Sequence, residues 1–404
     1  MNRLLLGAAL ALLPVILPAA VAEADEPLTY GVRPFYLIDK LPDGELKEKL
    51  LSCTGQTPAR TTFSIGHRGA PLQFPEHTVQ SNLAAARSGA GILECDVAFT
   101  ADKELVCRHA QNDLHTTTNM LVSDLAAKCT TPFTPAAGDT PAAAECRTSD
   151  ITLAEFQTLT PKMDAADKTA TSAEAYQGGV PSWRTTLYAD GAELMTHKQS
   201  IDLFKSLGAK FTPELKDPAV EMPFDGFSMD DYAQKLIAEY EDAGIPAADV
   251  FPQSFNLDVI KYWVANAGDY GQQAVYLVEP ADDWSADDES TWTHTPAEIA
   301  ELGVNYLAPS INMLVSLDDD GEIVASAYAE AAKDAGLTLI TWSLERSGPL
   351  ANGGGWYYNS VTDAIDSDSD YYAVLDVLAQ DVGVVGVFSD WPATVTYYAN
   401  CFDL

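Results

Sequence analysis

Positive charge is what this 404-residue chain has least of. It carries 23 Lys and Arg against 59 Asp and Glu, for a formal net charge of −36 with six His. Nucleic acid and anionic bilayers both need Lys and Arg to neutralise phosphates, so neither is a partner for such a surface. Long apolar runs are also scarce. After residue 22 none is long and apolar enough for the ~20 residues that cross a bilayer, so no stable membrane association is expected. No Cys-x-x-Cys occurs, which argues against a zinc knuckle or a dithiol redox motif. No G-x-G-x-x-G follows the first strand-like run, which argues against a dinucleotide-binding fold. Internal repeats are absent. The acidic runs Asp282–Glu289 and Asp366–Asp370 lack EF-hand ligand spacing and read as solvated loops.

The start of the chain does have one apolar run. A short basic segment, Asn2-Arg3, precedes apolar Leu4–Leu17 and the small-residue site Ala20-Val21-Ala22, after which Glu23–Glu26 is acidic. That layout predicts a signal peptide over 1–22, and hence a secreted or periplasmic protein. No Cys follows the small residues, so a lipid anchor is not expected there. In an oxidising compartment the six cysteines are expected to pair. Cys129 and Cys146 enclose a loop-like stretch and are the first candidates. Cys53 and Cys401 flank the domain and could strap its ends, and Cys95 and Cys107 are the remaining two.

Residues 23–60 read as a polar lead-in. From Phe63 onward short apolar runs alternate with helical patterns. Strand-like segments are 63–67, 92–97, 210–215, 250–255, 274–278, 306–308, 337–342 and 384–389, each followed by a helical pattern except where 105–109 returns directly after 92–97. That connection is too short for parallel pairing, so the two runs form an antiparallel hairpin. If its turn centres on Asp102-Lys103, Asp96 lies opposite His109. Over 115–209 the alternation fails and Ala, Thr, Gly and Pro dominate, as expected of an inserted subdomain with little core of its own. Eight β-then-α units predict an α/β fold, a (β/α)₈ barrel formed by 61–114 and 210–404.

In such a barrel the C-terminal strand ends face the active site. Those ends carry His67-Arg68-Gly69, then Glu94 and Asp96, His109, Glu214 and Lys216, Gln253, Trp342 and Asp390. Glu94 and Asp96 are two apart and share one face of a strand. Side-by-side carboxylates repel unless a proton or cation lies between them. With Glu214 they make an oxygen-only set suited to Ca²⁺ or Mg²⁺. His67 and His109 can divide acid and base work near neutral pH. Arg68 and Lys216 supply local positive charge, although Arg68 could equally be tied to Glu76 or Glu94. Trp342 offers an apolar wall or a rim aromatic.

These residues resemble a known family. Gly66-His67-Arg68-Gly69-Ala70, Pro75-Glu76-His77-Thr78, Leu93-Glu94-Cys95-Asp96-Val97 and Val106-Cys107-Arg108-His109 look like the opening of a glycerophosphodiester phosphodiesterase of the periplasmic or secreted branch. Pro213-Glu214-Leu215-Lys216, Gln253-Ser254-Phe255, Ile340-Thr341-Trp342 and Phe388-Ser389-Asp390-Trp391-Pro392 continue the likeness in order. The sequence departs from the family pattern at His77, Arg108 and Ala110.

The resemblance implies hydrolysis of a glycerophosphodiester, such as glycerophosphocholine or glycerophosphoethanolamine, to sn-glycerol 3-phosphate and an alcohol. It implies a divalent cation on Glu94, Asp96 and Glu214, with His67 and His109 as the acid–base pair. Arg68 and Lys216 would hold the phosphate, and Gln253, Phe255 and Trp342 would line the pocket. Competing readings are a related barrel phospholipase acting on intact lipids and a non-catalytic secreted binder. The first wants an apolar or basic membrane-facing surface. The second is expected to have lost a His or a metal carboxylate, and all five are present. A glycosidase would use paired carboxylates but leaves the two His unexplained.

Overall fold

A computed structural model describes residues 27–404; the expected signal peptide lies outside the described residues. The barrel strands are β1 Thr61–Gly66, β2 Ala90–Phe99, β4 Lys210–Leu215, β5 Gln253–Ser254, β6 Val275–Val278, β7 Tyr306–Pro309, β8 Thr338–Leu344 and β9 Gly386–Ser389, with β3 Leu105–Cys107 as the hairpin return. Parallel neighbours run β1-β9-β8-β7-β6-β5-β4-β2, and β1 pairs with β2 to close the barrel. The expected (β/α)₈ barrel with a hairpin after its second strand is the observed architecture.

Strand alternation divides the side chains between two cores. On β2, Leu93, Cys95 and Val97 point outward into the large core under the helices, whereas Ile92 faces the lumen. The lumen floor is packed by Ile65, Ile92, Val275, Leu277, Ala308, Ile340 and Phe388. A period of two then carries the same inward face from this floor to the polar mouth: Ile92 to Glu94 and Asp96, Ile65 to His67, Phe388 to Asp390.

The hairpin register differs from expectation by one residue. Val97 pairs with Cys107, and the Arg108 N–H donates to the Asp96 carbonyl at 2.7 Å, so Asp96 lies opposite Arg108 and not His109. The connection is a three-residue loop, Ala101–Lys103, closed by Thr100 N–H to Glu104 O and Lys103 N–H to Thr100 O. Lys103 takes the left-handed conformation such a loop requires, with φ 64°. A Cys95–Cys107 disulfide ties β2 to β3.

Two further expectations give way to structure. The lead-in contains two helices, Arg33–Lys40 and Glu45–Ser52. The first buries Pro34, Leu37 and Ile38, one face at helical spacing. Tyr397 Oη donates to Leu50 O at 2.8 Å, Tyr30 Oη to Asn400 Oδ1 at 2.6 Å, and Cys53 is disulfide-bonded to Cys401. This cover explains why the last helix, Ala393–Cys401, is buried over nearly its whole length.

The 115–209 stretch also has a core. Met120, Leu121, Ile151, Phe156, Leu159 and Tyr176 cluster with the Cys129–Cys146 disulfide on the outer residues Ala98 and Val106 of the hairpin. Its final helix, His197–Ser206, buries Ile201 and Phe204 in the large core beneath the barrel helices. No helix among the described residues is long and apolar enough to cross a membrane.

Candidate active site

The expected site residues converge on one mouth of the barrel. Register places Glu94 beside Thr212, Asp96 beside Glu214, and Glu214 beside Gln253. Ligand atoms of Glu94, Asp96 and Glu214 lie within 4.8 Å of one another, and all three residues are buried. A cavity of about 450 Å³ opens above them, lined by His67, Arg68, Glu94, His109, Gln253, Phe255 and Trp342 among others. Asp96, Glu214 and Lys216 do not line it.

Local backbone geometry sets these groups. β1 ends at Gly66, and Arg68 follows in the left-handed region with φ 56°. Its N–H thereby reaches Glu94 Oε2 at 2.7 Å. Gly69 has φ 92°, and a Cβ there would lie 2.4 Å from Ser81 Oγ, so glycine is required where the loop meets the next helix. The Arg68 guanidinium bonds Glu76 Oε2 at 3.1 Å and approaches Asp96 Oδ2 at 3.5 Å. The rim ion pair to Glu76 weighed for Arg68 is therefore present, inside the same network.

The three carboxylates differ electrostatically. Burial, then repulsion from Asp96 and Glu214, pushes Glu94 well above the usual carboxylate range. Glu214 is pushed up to about 7 by burial, against the pull of Lys216, whose Nζ lies 2.5 Å from Glu214 Oε1. Burial acts on Asp96 in the same sense, but His77, at 2.9 Å from its Oδ2, together with Lys216 and Arg68 holds it well below that range. Asp96 Oδ1 is buried with no hydrogen-bond partner among the described residues. An orphaned carboxylate oxygen beside two carboxyls that resist ionisation is the environment a divalent cation relieves, and oxygen-only donors suit a hard one.

The two imidazoles sit in unlike surroundings. His67 Nδ1 is 2.6 Å from Asp390 Oδ1. Burial and then the Arg68 charge lower its pKa to about 4, against the pull of Asp390. His109 is pushed well below its ordinary value by burial, then by Arg68 and Lys216, and its side chain makes no hydrogen bond among the described residues.

Three participants go beyond the expected set. Asp390 was visible as a strand end, but its pairing with His67 was not. Glu76 joins Arg68 and Arg346, each at 3.1 Å, and their charges outweigh its burial and hold it well below the carboxylate range. Arg346 spans from Glu76 to Asp390 Oδ2, at 3.4 Å, and lines the cavity. β8 runs two residues past Trp342 to Leu344, so the loop that carries Arg346 starts later than the sequence pattern suggested.

Residues 67–394 match the model of the glycerophosphoryl diester phosphodiesterase family. The chain belongs to that family. The match begins at His67, includes every site residue named above and runs into the last helix. Among individual relatives, an extracellular protein of Arthroderma benhamiae is 47% identical over 247 residues, which is 60% of this chain and 100% of that one. A Mycobacterium tuberculosis protein named "Probable glycerophosphodiester phosphodiesterase 1" is 47% identical over 47 residues, 12% of this chain and 17% of that one. A solved structure from Silicibacter pomeroyi DSS-3, named for the same activity, superposes with a TM-score of 0.55 at 18% identity, covering 87% of this chain and 98% of that one. At that identity the likeness is one of fold.

Proposed function

We propose that this member of the family hydrolyses glycerophosphodiesters to sn-glycerol 3-phosphate and an alcohol, as an exported and metal-dependent enzyme. The observation that carries the reading is the meeting, at one barrel mouth, of three clustered buried carboxylates with a cavity lined by one of them, Glu94, and by His67, His109 and Arg68. Glu94, Asp96 and Glu214 would hold Ca²⁺ or Mg²⁺, which when bound offers Lewis-acid neutralisation of a phosphoryl oxygen. The match to an extracellular protein and the three disulfides support export.

The chain's own groups divide the remaining work. Arg68 and Arg346 present guanidinium charge to the cavity, where a phosphodiester is the complementary anion. Lys216 adds positive charge from below through Glu214. Asp390, by accepting the His67 Nδ1 proton, leaves Nε2 as a lone-pair acceptor, the tautomer a general base needs. His67 is neutral near pH 7, as that role requires. His109 takes the acid role. It too is neutral in the ligand-free site, and the negative charge of a bound phosphodiester favours its protonation. The nucleophile on this arrangement is either water or the substrate's own glycerol hydroxyl.

The test is release of glycerol 3-phosphate from glycerophosphocholine with and without chelator. Release that stops on chelation and returns with Ca²⁺ or Mg²⁺ is expected. Glu94→Gln and Glu214→Gln should each weaken metal binding in calorimetry. Full activity in chelator, or unchanged metal affinity in both variants, would move the metal site elsewhere.

A further inference from the structure

The catalytic cavity is chemically two-sided. One side carries His67, Arg68, Glu94, His109 and Arg346. The other is built from Phe255, Trp342, Trp356 and Tyr357, with the single carboxylate of Glu279. The aromatic rings form one connected cluster. Phe255 meets Trp342 edge-on at 5.4 Å, Trp342 stacks on Trp356 at 6.0 Å, and Tyr357 packs edge-on to both at 5.5 and 5.0 Å.

This side is held in place from behind. The Trp342 indole N–H donates to Ala308 O at 2.8 Å. Trp356 and Tyr357 sit on the loop after β8, just past Gly353-Gly354-Gly355. Gly355 has φ 69°, and a Cβ there would lie 2.5 Å from Ser347 O, so the loop folds tightly back on itself only with glycine. Asn312 Nδ2 donates to Trp356 O at 3.1 Å and to Asn359 Oδ1 at 3.0 Å. Tyr357 N–H donates to Ser347 Oγ at 3.3 Å. Trp356 nevertheless keeps 41% of its surface exposed.

Glu279 supplies the second observation. It is exposed at the cavity wall and makes no ion pair or side-chain hydrogen bond among the described residues. Arg68 and Arg346, the cavity's guanidinium groups, are both tied to Glu76 across the site. Phe255 already carries the Lys216 ammonium 5.7 Å from its ring centroid, and Tyr357 lies within electrostatic reach of Arg68 and Arg346. That leaves the exposed Trp356 ring and the Glu279 carboxylate as the groups of this side that can attract a further cation. Ring quadrupoles and a carboxylate attract a cation, and apolar faces favour one that carries methyl groups and gives no hydrogen bonds.

We propose that Trp356, Tyr357 and Glu279, on the wall begun by Phe255 and Trp342, form a subsite for a quaternary ammonium leaving group. It makes glycerophosphocholine the preferred substrate over glycerophosphoethanolamine and over uncharged esters. This deepens the reading of the site as a glycerophosphodiester hydrolase and rests on it.

The experiment compares kcat/KM for glycerophosphocholine with that for its neutral isostere, the 3,3-dimethylbutyl ester of glycerol 3-phosphate. The two leaving groups share shape and differ in charge. Wild type should prefer the choline ester at least tenfold. Trp356→Ala and Glu279→Gln should each cut that ratio severalfold, whatever they do to either rate alone. A wild-type ratio near one, or a ratio that neither variant moves, overturns the subsite. Choline binding is measured in parallel by calorimetry and should weaken in both variants. If wild type cleaves no glycerophosphodiester, the functional reading fails, and the choline titrations alone then decide the subsite: binding that neither variant weakens, or no binding, overturns it.

Discussion

Two imidazoles at one mouth divide the work only if their surroundings differ. His67 is clamped by Asp390, which is in turn held by Arg346. His109 makes no such hydrogen bond among the described residues. We expect His67→Ala and His109→Ala each to lower kcat by about 10² to 10⁴, the usual span for a general acid or base. In the proposed division of labour the pair acts as a unit, so the double variant should fall well short of the product of the single losses. A p-nitrophenyl phosphodiester has a leaving group that needs no proton. On that substrate His109→Ala should recover most of its rate and His67→Ala should not. Equal defects on both substrates for both variants would sink the division of labour while leaving the proposed metal site untouched. The carboxylates and His67 could be read from sequence because they continue a period-two pattern from an apolar strand floor, as Ile92, Glu94 and Asp96 do. Arg346 could not, because no periodicity marks a residue in a loop whose starting point was itself misplaced.

Strands, loops and helices carry a different set of consequences. His115 lies in the insertion, stacked on Tyr176 with ring centroids 6.3 Å apart, and its Nδ1 has no hydrogen-bond partner among the described residues. Burial, then the Lys168 charge, lowers its pKa to about 4, against a weaker pull from Glu145. An unfolded His takes its proton near pH 6.5. Between about pH 6.5 and 4 the unfolded chain is therefore protonated at this residue and the folded insertion is not, so stability falls as pH falls through that window. His115→Phe removes this one contribution. Its melting temperature relative to wild type should rise as pH drops from 7 to 4.5; a constant difference would assign the shift to other groups. The insertion's core was hard to see in advance because its few large apolar residues are scattered among Ala and Thr and close only around the Cys129–Cys146 bridge and the back of the hairpin. The hairpin register was misjudged for a related reason. A two-residue turn and a three-residue turn with a left-handed Lys103 fit the same run of polar residues, and they shift the pairing by one. The barrel was easier, since eight repeats of strand then helix leave few topologies.

At the scale of the molecule, the −36 net charge makes the positive groups at the mouth stand out. Arg68, Lys216 and Arg346 are each matched to carboxylates that orient them, so an anionic substrate meets fixed cations within a repulsive surface. The lead-in helices cover the last helix as part of the same large core as the barrel, locked by Cys53–Cys401 across 348 positions of sequence. Bridges that close long loops stabilise mainly by restricting the unfolded chain, by about 2 to 5 kcal/mol. The double substitution Cys53→Ser with Cys401→Ser should lower the melting temperature by several degrees and leave the ratio of choline to 3,3-dimethylbutyl ester hydrolysis untouched. An unchanged melting temperature would mean that the packing of Tyr30 and Tyr397 suffices. The same bridge closes residues 53–401 into a covalent ring. A protease that nicks the ring once, for instance near exposed Leu187 in the insertion, opens it without freeing a fragment. The nicked enzyme would migrate as one species until reduced, and both halves of the barrel would stay tethered long enough to remain a working catalyst.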